Sequence, residues 1–281
     1  MLRIAIPNKG TLSGPASQML CEAGYRQRAD SRDLVCLDEA NGVEFFYLRP
    51  RDIATYVGSG DLDLGITGRD LLVDAGSPAE EVVDLDFGGA TFRFAARPET
   101  VSSVDELGGQ RIATAYPGVV ERYLAERGLK ADVIRLDGAV ENAVRLGVAD
   151  VVADVVSTGA TLRQAGLVII GEPILRSSAV LIRRVGAPAS AQTDQLLRRL
   201  QGVLVARRYV MLAYNVPVDL LVQASALTPG IESPTVSSLH RNGWVAVQAM
   251  VLRDEVHRIM DELYDLGARA ILVTDIHACR L

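Results

Sequence analysis

Lysine is almost missing from this chain of 281 residues, in which arginine supplies nearly all of the positive charge. Only Lys9 and Lys130 are lysines among 29 basic residues, against 35 acidic ones, so the net charge is −6. No tract of the sequence is strongly basic, which disfavours a general nucleic-acid binder. The rarity of lysine makes Lys9, which directly follows an apolar strand pattern, a candidate functional residue. Lys130 follows a helix end and is expected at the surface.

Long apolar runs and clusters of cysteine or histidine are also missing. No run approaches the roughly 18 residues that a membrane-spanning helix needs, and the N-terminus lacks the pattern of a signal peptide. The cysteines fit neither a disulfide framework nor a zinc spacing, and the histidines form no recognisable metal site. These residues are Cys21, Cys36, Cys279, His240, His257 and His277. We therefore expect a cytoplasmic protein with no membrane and no nucleic-acid partner.

What the sequence does contain is a faint internal repeat, in which residues 1–75 resemble residues 109–166. Each copy begins with a short apolar strand that ends at a turn with Pro, and a helix closed by Gly follows. A second strand, a second helix and a third strand complete each copy. Alternating strands and helices predict two α/β lobes with mostly parallel sheets and a cleft at the strands' carboxyl ends. Chance recurrence in an α/β protein is the alternative.

The last part of the chain follows a different pattern. From Tyr209 the order β-α-β-α-β, with a hairpin possible around residues 227–239, predicts a ferredoxin-like α+β module. This module carries no catalytic constellation, which is typical of a binding or regulatory domain. The predicted domains are lobe I (residues 1–92 with 179–203), lobe II (93–178) and the C-terminal domain (204–281).

One loop has the features of a phosphate-binding site. The apolar strand at 150–156 leads into Ser157-Thr158-Gly159-Ala160-Thr161, and a helix begins there. Small residues let backbone N–H groups approach an anion, hydroxyl groups add donors, and the helix N-terminus adds partial positive charge. Asp154, just before the loop, is placed to accept hydrogen bonds from the vicinal hydroxyls of a ribose. An ordinary strand–turn–helix with a Ser or Thr N-cap is the alternative.

The segment Asp154–Thr161 resembles the phosphoribosyl-pyrophosphate loop of phosphoribosyltransferases. Further motifs narrow the resemblance to long-form ATP phosphoribosyltransferases, over essentially the whole chain. These motifs are Pro7–Gly10, Phe45–Ile53, Tyr56–Gly60, Gly65–Asp70, Arg111–Pro117 and Glu232–Thr235. The resemblance implies an α/β fold of two lobes like those of periplasmic binding proteins, with a cleft, plus a C-terminal ferredoxin-like regulatory domain.

The resemblance also implies the activity, a pentosyltransferase reaction that begins histidine biosynthesis. The enzyme would join N1 of the adenine of ATP to C1 of phosphoribosyl pyrophosphate (PRPP) and release pyrophosphate, with Mg²⁺ associated with the substrates. Free histidine would inhibit by binding the C-terminal domain, and the chain would assemble as homodimers and hexamers. No side chain is an evident nucleophile, so positioning and electrostatics would supply most of the rate.

Candidate residues for ATP and pyrophosphate lie at the predicted cleft. They are Lys9, Gly10, Arg49, Arg51, Gly68, Asp70, Tyr116 and Glu141. Lys9, Arg49 and Arg51 are assigned to anions, with a solvated lysine and arginine–carboxylate salt bridges as the alternatives. Asp70 is expected to hold adenine or ribose. Tyr116 is expected to stack on a ring or bind a phosphate, and Glu141 to meet a sugar hydroxyl or hydrated Mg²⁺.

The resemblance places the histidine inhibitor in the C-terminal domain, between two subunits. The implied residues are Asn215, Ile231, Ser233, Thr235 and, from another subunit, Ala270. Some relatives have Asp where this chain has Asn215, and Asn cannot supply the negative charge that favours a protonated amine or imidazole. A plain assembly domain is the alternative for this region.

Two other classes of function stay open. One is a solute-binding module, which the two lobes suggest and the missing signal-peptide pattern disfavours. The other is a non-catalytic homologue that regulates a partner enzyme. The coexistence of a phosphate-type loop and a C-terminal module in one chain disfavours that interpretation.

Overall fold

The computed structural model of the protein describes residues 1–156, 159–188 and 190–280. Backbone contacts divide the chain into two compact units. The first comprises Met1–Cys21 and Tyr25–Ser190, and the second comprises Glu22–Gly24 and Ala191–Leu281. Across the described ranges, we find no helix that is both long enough and apolar enough to span a bilayer.

The first unit alternates strands and helices along most of its length. Its strands are β1 (Leu2–Pro7), β2 (Val35–Asp38), β3 (Val43–Leu48), β4 (Leu64–Gly68), β5 (Ala79–Asp84), β6 (Ala90–Ala96), β7 (Arg111–Thr114), β8 (Asp132–Arg135), β9 (Val151–Val156), β10 (Val168–Ser177) and β11 (Ala179–Arg184). The helices up to this point are α1 (Ser13–Glu22), α2 (Pro50–Ser59), α3 (Arg69–Ala75), α4 (Pro117–Glu126), α5 (Glu141–Arg145) and α6 (Ala160–Gln164).

Two sheets form the lobes of this unit. Lobe I has the strand order β2-β3-β1-β4-β11-β5, and lobe II has the order β10-β6-β9-β7-β8. At the centre of each sheet lie three parallel strands, β3-β1-β4 and β8-β7-β9. In both, the first strand of the repeat is flanked by the second and the third. The internal repeat predicted from the sequence is therefore confirmed, as is the two-lobed α/β fold.

The prediction of mostly parallel sheets is wrong, because antiparallel strands flank each parallel centre. In lobe I, β2 forms a hairpin with β3, and β11 runs antiparallel to β4 and β5. In lobe II, β6 pairs antiparallel with β9 and β10. These additions arise from a local hairpin and from the chain crossing between lobes, neither of which needs the helical crossover of a parallel pair.

Local sequence explains how lobe I presents its helix α2. Pro50 occupies the first turn, where its missing N–H removes no helical hydrogen bond. Gly60 ends the helix in the left-handed conformation, and its N–H donates to the carbonyl of Val57. The buried side chains of α2, including Ile53, pack with Ala5 of β1 and residues of β11. This packing fixes the start of α2 at the carboxyl end of β3.

Two segments of chain cross between the lobes, one joining β5 to β6 and the other joining β10 to β11. The N–H of Leu85 donates to the carbonyl of Ala179 (2.9 Å), and the N–H of Ala179 donates to the carbonyl of Phe87 (2.8 Å). These bonds hold the two crossing segments side by side, as a two-stranded hinge.

The second unit is an antiparallel sheet with helices. After α7 (Ala191–Arg208), its elements are β12 (Tyr209–Pro217), α8 (Leu221–Leu227), β13 (Thr235–Ser238), β14 (Trp244–Leu252), α9 (Val256–Leu266) and β15 (Arg269–Asp275). The strand order is β13-β14-β12-β15, and apolar residues of β12 and β14 pack with those of α8 and α9. This order and connectivity confirm the ferredoxin-like fold.

The boundary between the units falls at Ala191, where the continuous helix α7 begins. The sequence-based boundary after residue 203 lies inside this helix. The assignment of the units to catalysis and regulation stays a prediction.

Candidate active site

Two neighbouring cavities contain most of the predicted substrate-binding residues. The first is lined from both lobes by residues that include Lys9, Gly10, Gly68, Asp70 and Tyr116. The second lies in lobe II and is lined by Glu141, Asp154, Val155, Val156, Gly159, Ala160, Thr161 and Leu162. Val155 lines both cavities. Most of the residues predicted to bind substrate are therefore brought together around one strand end of lobe II.

Lys9 and the two predicted arginines lie on different parts of lobe I. Lys9 is exposed on the turn after β1 and lines the first cavity. Among the described residues, the linings of the two cavities do not include Arg49 or Arg51. Arg51 donates to Asp74 at 2.7 Å, and its guanidinium lies 5.0 Å from the ring centre of Tyr116. A salt bridge was the alternative interpretation of Arg51, and the structure shows one.

Asp70 is a buried carboxylate held at the wall of the first cavity. It stands in the first turn of α3 and is only 8% exposed. Its Oδ1 accepts a hydrogen bond from Ser177 Oγ (2.8 Å), and its N–H donates to the same hydroxyl oxygen (3.1 Å). A side chain at Gly68 would overlap Asp70 Oδ1. The glycine therefore provides the space in which this carboxylate lies.

Tyr116 lines the same cavity as Asp70 but comes from lobe II. Its ring packs edge-on against Phe92. Burial, together with the negative charges of Asp70 and Asp154, raises the pKa of Tyr116 above its ordinary range. The phenol therefore keeps its proton at neutral pH and remains a hydrogen-bond donor at the junction of the lobes.

Asp154 lies in the second half of β9, at the wall of the second cavity. Burial raises the pKa of its carboxyl group, the charges of Glu141 and Asp70 raise it further, and a hydrogen bond from the Val155 N–H (2.7 Å) partly opposes this. New hydrogen-bond donors or a nearby positive charge would stabilise the charged form of this carboxylate. Ribose hydroxyls would supply the donors, and a ribosyl cation would supply the positive charge.

The predicted phosphate loop enters α6 beside the same cavity. Gly159 has φ of +68°, a left-handed conformation that favours glycine, and Ala160 and Thr161 form the first turn of the helix. Ser157 and Thr158, which were predicted to add hydroxyl donors, lie outside the described residues. The described end of the loop thus presents the start of a helix to the cavity that Asp154 lines.

The residues predicted for histidine lie in the second unit, on its sheet or close to it. Asn215, on the inner strand β12, is opposite Ala246 on one side and Arg269 on the other. Ala270 has φ of +52° beside it. Ile231, Ser233 and Thr235 are exposed in and before the edge strand β13. A ligand between subunits stays a prediction.

Ser177 and Asp74 were not predicted from the sequence. Ser177 contacts Asp70, which lines the first cavity. Asp74 contacts Arg51, whose guanidinium lies over the ring of Tyr116. The only signal for Ser177 is a polar pair, Ser177-Ser178, between apolar strands, which is typical of any loop. Asp74 lies in a helix pattern and carries no distinguishing mark.

Comparisons with known proteins agree along the whole chain. A family model described as HisG: ATP phosphoribosyltransferase matches residues 49–202, and a model of the HisG C-terminal domain matches residues 206–278. An ATP phosphoribosyltransferase of Salinispora tropica is 76% identical over 281 residues, which is all of both chains. One from Streptomyces avermitilis is 61% identical, again over the full length of both. Among solved structures, the ATP phosphoribosyl transferase (HisG:HisZ) complex from Thermotoga maritima is 26% identical with a TM-score of 0.61, covering 73% of this chain and 98% of that one.

Proposed function

Because this chain belongs to the ATP phosphoribosyltransferase family of histidine biosynthesis, we propose that it joins N1 of the adenine of ATP to C1 of PRPP. Pyrophosphate is the leaving group. One observation carries the proposal: two cavities of complementary character share Val155. One offers a helix start and a carboxylate to a ribose phosphate, and the other offers Lys9, Asp70 and Tyr116 to a nucleotide.

In this arrangement PRPP occupies the second cavity. Its 5-phosphate accepts hydrogen bonds from the backbone N–H groups at Gly159–Thr161, where the start of α6 also adds partial positive charge. Its ribose hydroxyls donate to the carboxylate of Asp154. C1 then lies toward Val155, and the adenine approaches it from the first cavity.

The reaction breaks the bond between C1 and the pyrophosphate oxygen, and the electron pair leaves with pyrophosphate. N1 of adenine supplies the electron pair of the new bond to C1. As the bonds exchange, positive charge develops on the ribosyl group, and Asp154 and Glu141 stabilise it electrostatically. Lys9 neutralises charge on the departing pyrophosphate. Asp70 and Tyr116 orient the adenine, which lowers the entropic part of the barrier.

We assign Mg²⁺ to the substrates, bound to the pyrophosphate group of PRPP. In phosphate sites Mg²⁺ keeps several waters and uses few protein ligands. Within the described ranges no three His, Cys, Asp or Glu side chains are grouped as a resident metal site requires. Glu141 and Asp154, both at the second cavity, are the groups placed to bind waters of a substrate-borne ion.

Regulation by histidine is proposed for the second unit, together with assembly into dimers and hexamers in the cytoplasm. A match to the family's C-terminal domain supports this. So do exposed apolar side chains on both edge strands of its sheet, Val236 on β13 and Leu272 on β15. An assembly domain without a ligand is the alternative.

The test of the activity is direct. Purified protein is mixed with ATP, PRPP, Mg²⁺ and pyrophosphatase, and the absorbance of phosphoribosyl-ATP is followed. Thr161→Asp serves as the control, since a carboxylate at the start of α6 repels the phosphate. Product above this control supports the enzyme, and none overturns it. Millimolar histidine that changes neither rate nor oligomer size contradicts the regulatory proposal alone.

A further inference from the structure

The hinge between the lobes carries two adjacent serines that hold two different carboxylates of lobe I. Ser177 ends β10 and is only 7% exposed, and its hydroxyl donates to Asp70. Ser178 follows it, and its hydroxyl donates to Asp84 Oδ2 at 2.7 Å. The two contacts have the same chemistry. They differ in that Asp70 lines the first cavity, whereas Asp84 is half-exposed and forms an ion pair with Arg69.

Ser177 holds Asp70 at two points. The hydroxyl accepts the N–H of Asp70 and donates to Oδ1 of the same residue, at 3.1 Å and 2.8 Å. Two bonds to one hydroxyl fix both the backbone at the start of α3 and the orientation of the carboxylate plane. Ser177 itself also lines the first cavity.

The two hydrogen bonds to Asp70 come from the chain segment that links the lobes. Ser177 immediately precedes the residues that pair the two crossing segments through Ala179 and Phe87. Tyr116, from lobe II, lines the same cavity as this carboxylate. The position of Asp70 therefore depends on the hinge, although Asp70 belongs to α3 of lobe I.

We propose that Ser177 is a positioning residue, which holds the Asp70 carboxylate in the orientation that binds the adenine of ATP. The inference rests on the proposed function, because that function assigns the nucleotide to the first cavity. Without the hydroxyl, the carboxylate loses its partner and must reorient for ATP. ATP binding is then weakened, while PRPP, in the second cavity, is bound as before.

The experiment compares Ser177→Ala and Ser177→Cys with Ser178→Ala. Cysteine has the same shape as serine with a somewhat larger terminal atom, and its S–H group is a weak donor. It therefore weakens the hydrogen bond without leaving the space that alanine leaves. Ser178→Ala removes a hinge serine of the same chemistry that faces a carboxylate outside the cavities. For each variant, the KM values of ATP and PRPP and kcat are measured, with the Kd of ATP from calorimetry.

Both Ser177 variants are expected to raise the KM and Kd of ATP about tenfold, the effect of losing one hydrogen bond to a charged group. The KM of PRPP is expected to stay within about twofold, and Ser178→Ala to match the unsubstituted protein. Equal increases for both substrates, or the same ATP values for Ser178→Ala, overturn the proposal. Calorimetry measures ATP binding without turnover. If the protein binds ATP but is inactive, the proposed reaction is overturned, and the Kd of ATP for the variants still tests the role of Ser177. Absence of ATP binding overturns both.

Discussion

At the scale of single residues, Asp154 has a carboxyl group whose environment opposes its charge. Folding raises its pKa, so the folded state binds the proton more tightly than the unfolded chain does. The resulting stabilisation is present below the ordinary aspartate pKa and is lost as pH rises through the raised value. At neutral pH this site therefore destabilises the substrate-free protein, which is a cost that PRPP binding would offset.

Asp154→Asn is expected to remove the destabilisation caused by the buried negative charge and also to impair the proposed activity. At neutral pH the variant should melt about 2–4 °C higher, because a neutral amide has no charge to desolvate. Its kcat/KM for PRPP should fall about a hundredfold, since the developing positive charge loses a carboxylate. Calorimetric melting across pH checks the first claim. The gap in Tm should narrow as pH falls toward 3.8, the ordinary value of this group, and a gap that widens contradicts the argument.

Gly68→Ala tests the space that the glycine provides. The new methyl group would overlap Oδ1 of Asp70, so the carboxylate must leave its place beside Ser177. We expect kcat/KM for ATP to fall at least about tenfold. Gly14→Ala is the matched control, because Gly14 lies in α1 and a methyl group there meets nothing within 4 Å. The control should keep its activity and gain up to about 1 kcal/mol of stability. Similar losses in both would refute the steric account.

At the scale of elements, helices α3 and α4 are joined across the lobes by Asp74. Its carboxylate accepts a hydrogen bond from Arg51 of α2 (2.7 Å) and another from the N–H of Gly118 in the first turn of α4 (2.9 Å). The Asp74 side chain is 9% exposed. A negative charge at a helix N-terminus is favourable in itself, so this contact ties lobe I to lobe II at low cost.

Asp74→Ala should lower the Tm by about 5 °C, because it removes two hydrogen bonds to a buried carboxylate and leaves Arg51 without this partner. Asp30→Ala provides the comparison, since the Asp30–Arg32 ion pair is similarly short but largely exposed, and its loss should leave the Tm unchanged. Thermal unfolding of both variants, followed by circular dichroism, gives the two Tm values to compare with that of the unsubstituted protein. Equal melting temperatures for the two variants would mean that the interlobe contact adds no stability.

The central strands of both lobes could be predicted from the sequence, because β1, β4, β7 and β9 are mostly apolar and recur in the same order with their helices. The edge strands could not. β2 is only four residues long and half-exposed, and β5 is partly exposed along its whole length, so neither shows the alternation of a half-buried strand. β10 is interrupted by a register shift between Ile170 and Leu175, so the sequence pattern does not show that its second half continues the strand.

The candidate site divides in the same way. Lys9, Asp70 and Tyr116 lie within two residues of a strand's carboxyl end, and Asp154 lies in the second half of β9. Ligands bind at the carboxyl ends of strands in such sheets, so position alone indicates these residues. Ser177 acts through a residue more than a hundred positions away. A contact of that kind depends on how the lobes meet, so the pattern of neighbouring residues in the sequence cannot predict it.

At the scale of the whole molecule, we propose catalysis for the first unit and regulation by histidine for the second. Asn215 lies on an inner strand of the second unit, at the place where the family resemblance implies histidine binding. The amide can accept or donate hydrogen bonds, but it cannot neutralise a cationic ligand. Charge at this one position should therefore set how strongly histidine controls the enzyme.

Asn215→Asp is expected to lower the histidine concentration for half-inhibition about fivefold, because a charge-assisted hydrogen bond replaces a neutral one. Gln223→Glu adds the same charge on exposed α8 and should leave inhibition unchanged. Steady-state rates across a histidine titration give the comparison. If both substitutions act equally, net charge rather than a local contact explains the change.

The scarcity of lysine makes Lys9 a convenient site for chemical labelling of the first cavity. An amine-reactive dye has few attachment points on this protein: the N-terminus, Lys9 at the first cavity, and exposed Lys130, on the turn between α4 and β8. Dye uptake at Lys9 therefore measures occupancy of the cavity, and uptake at Lys130 serves as the internal standard within the same molecule. Peptide mass spectrometry of the labelled chain would then read ligand binding without any engineered tag.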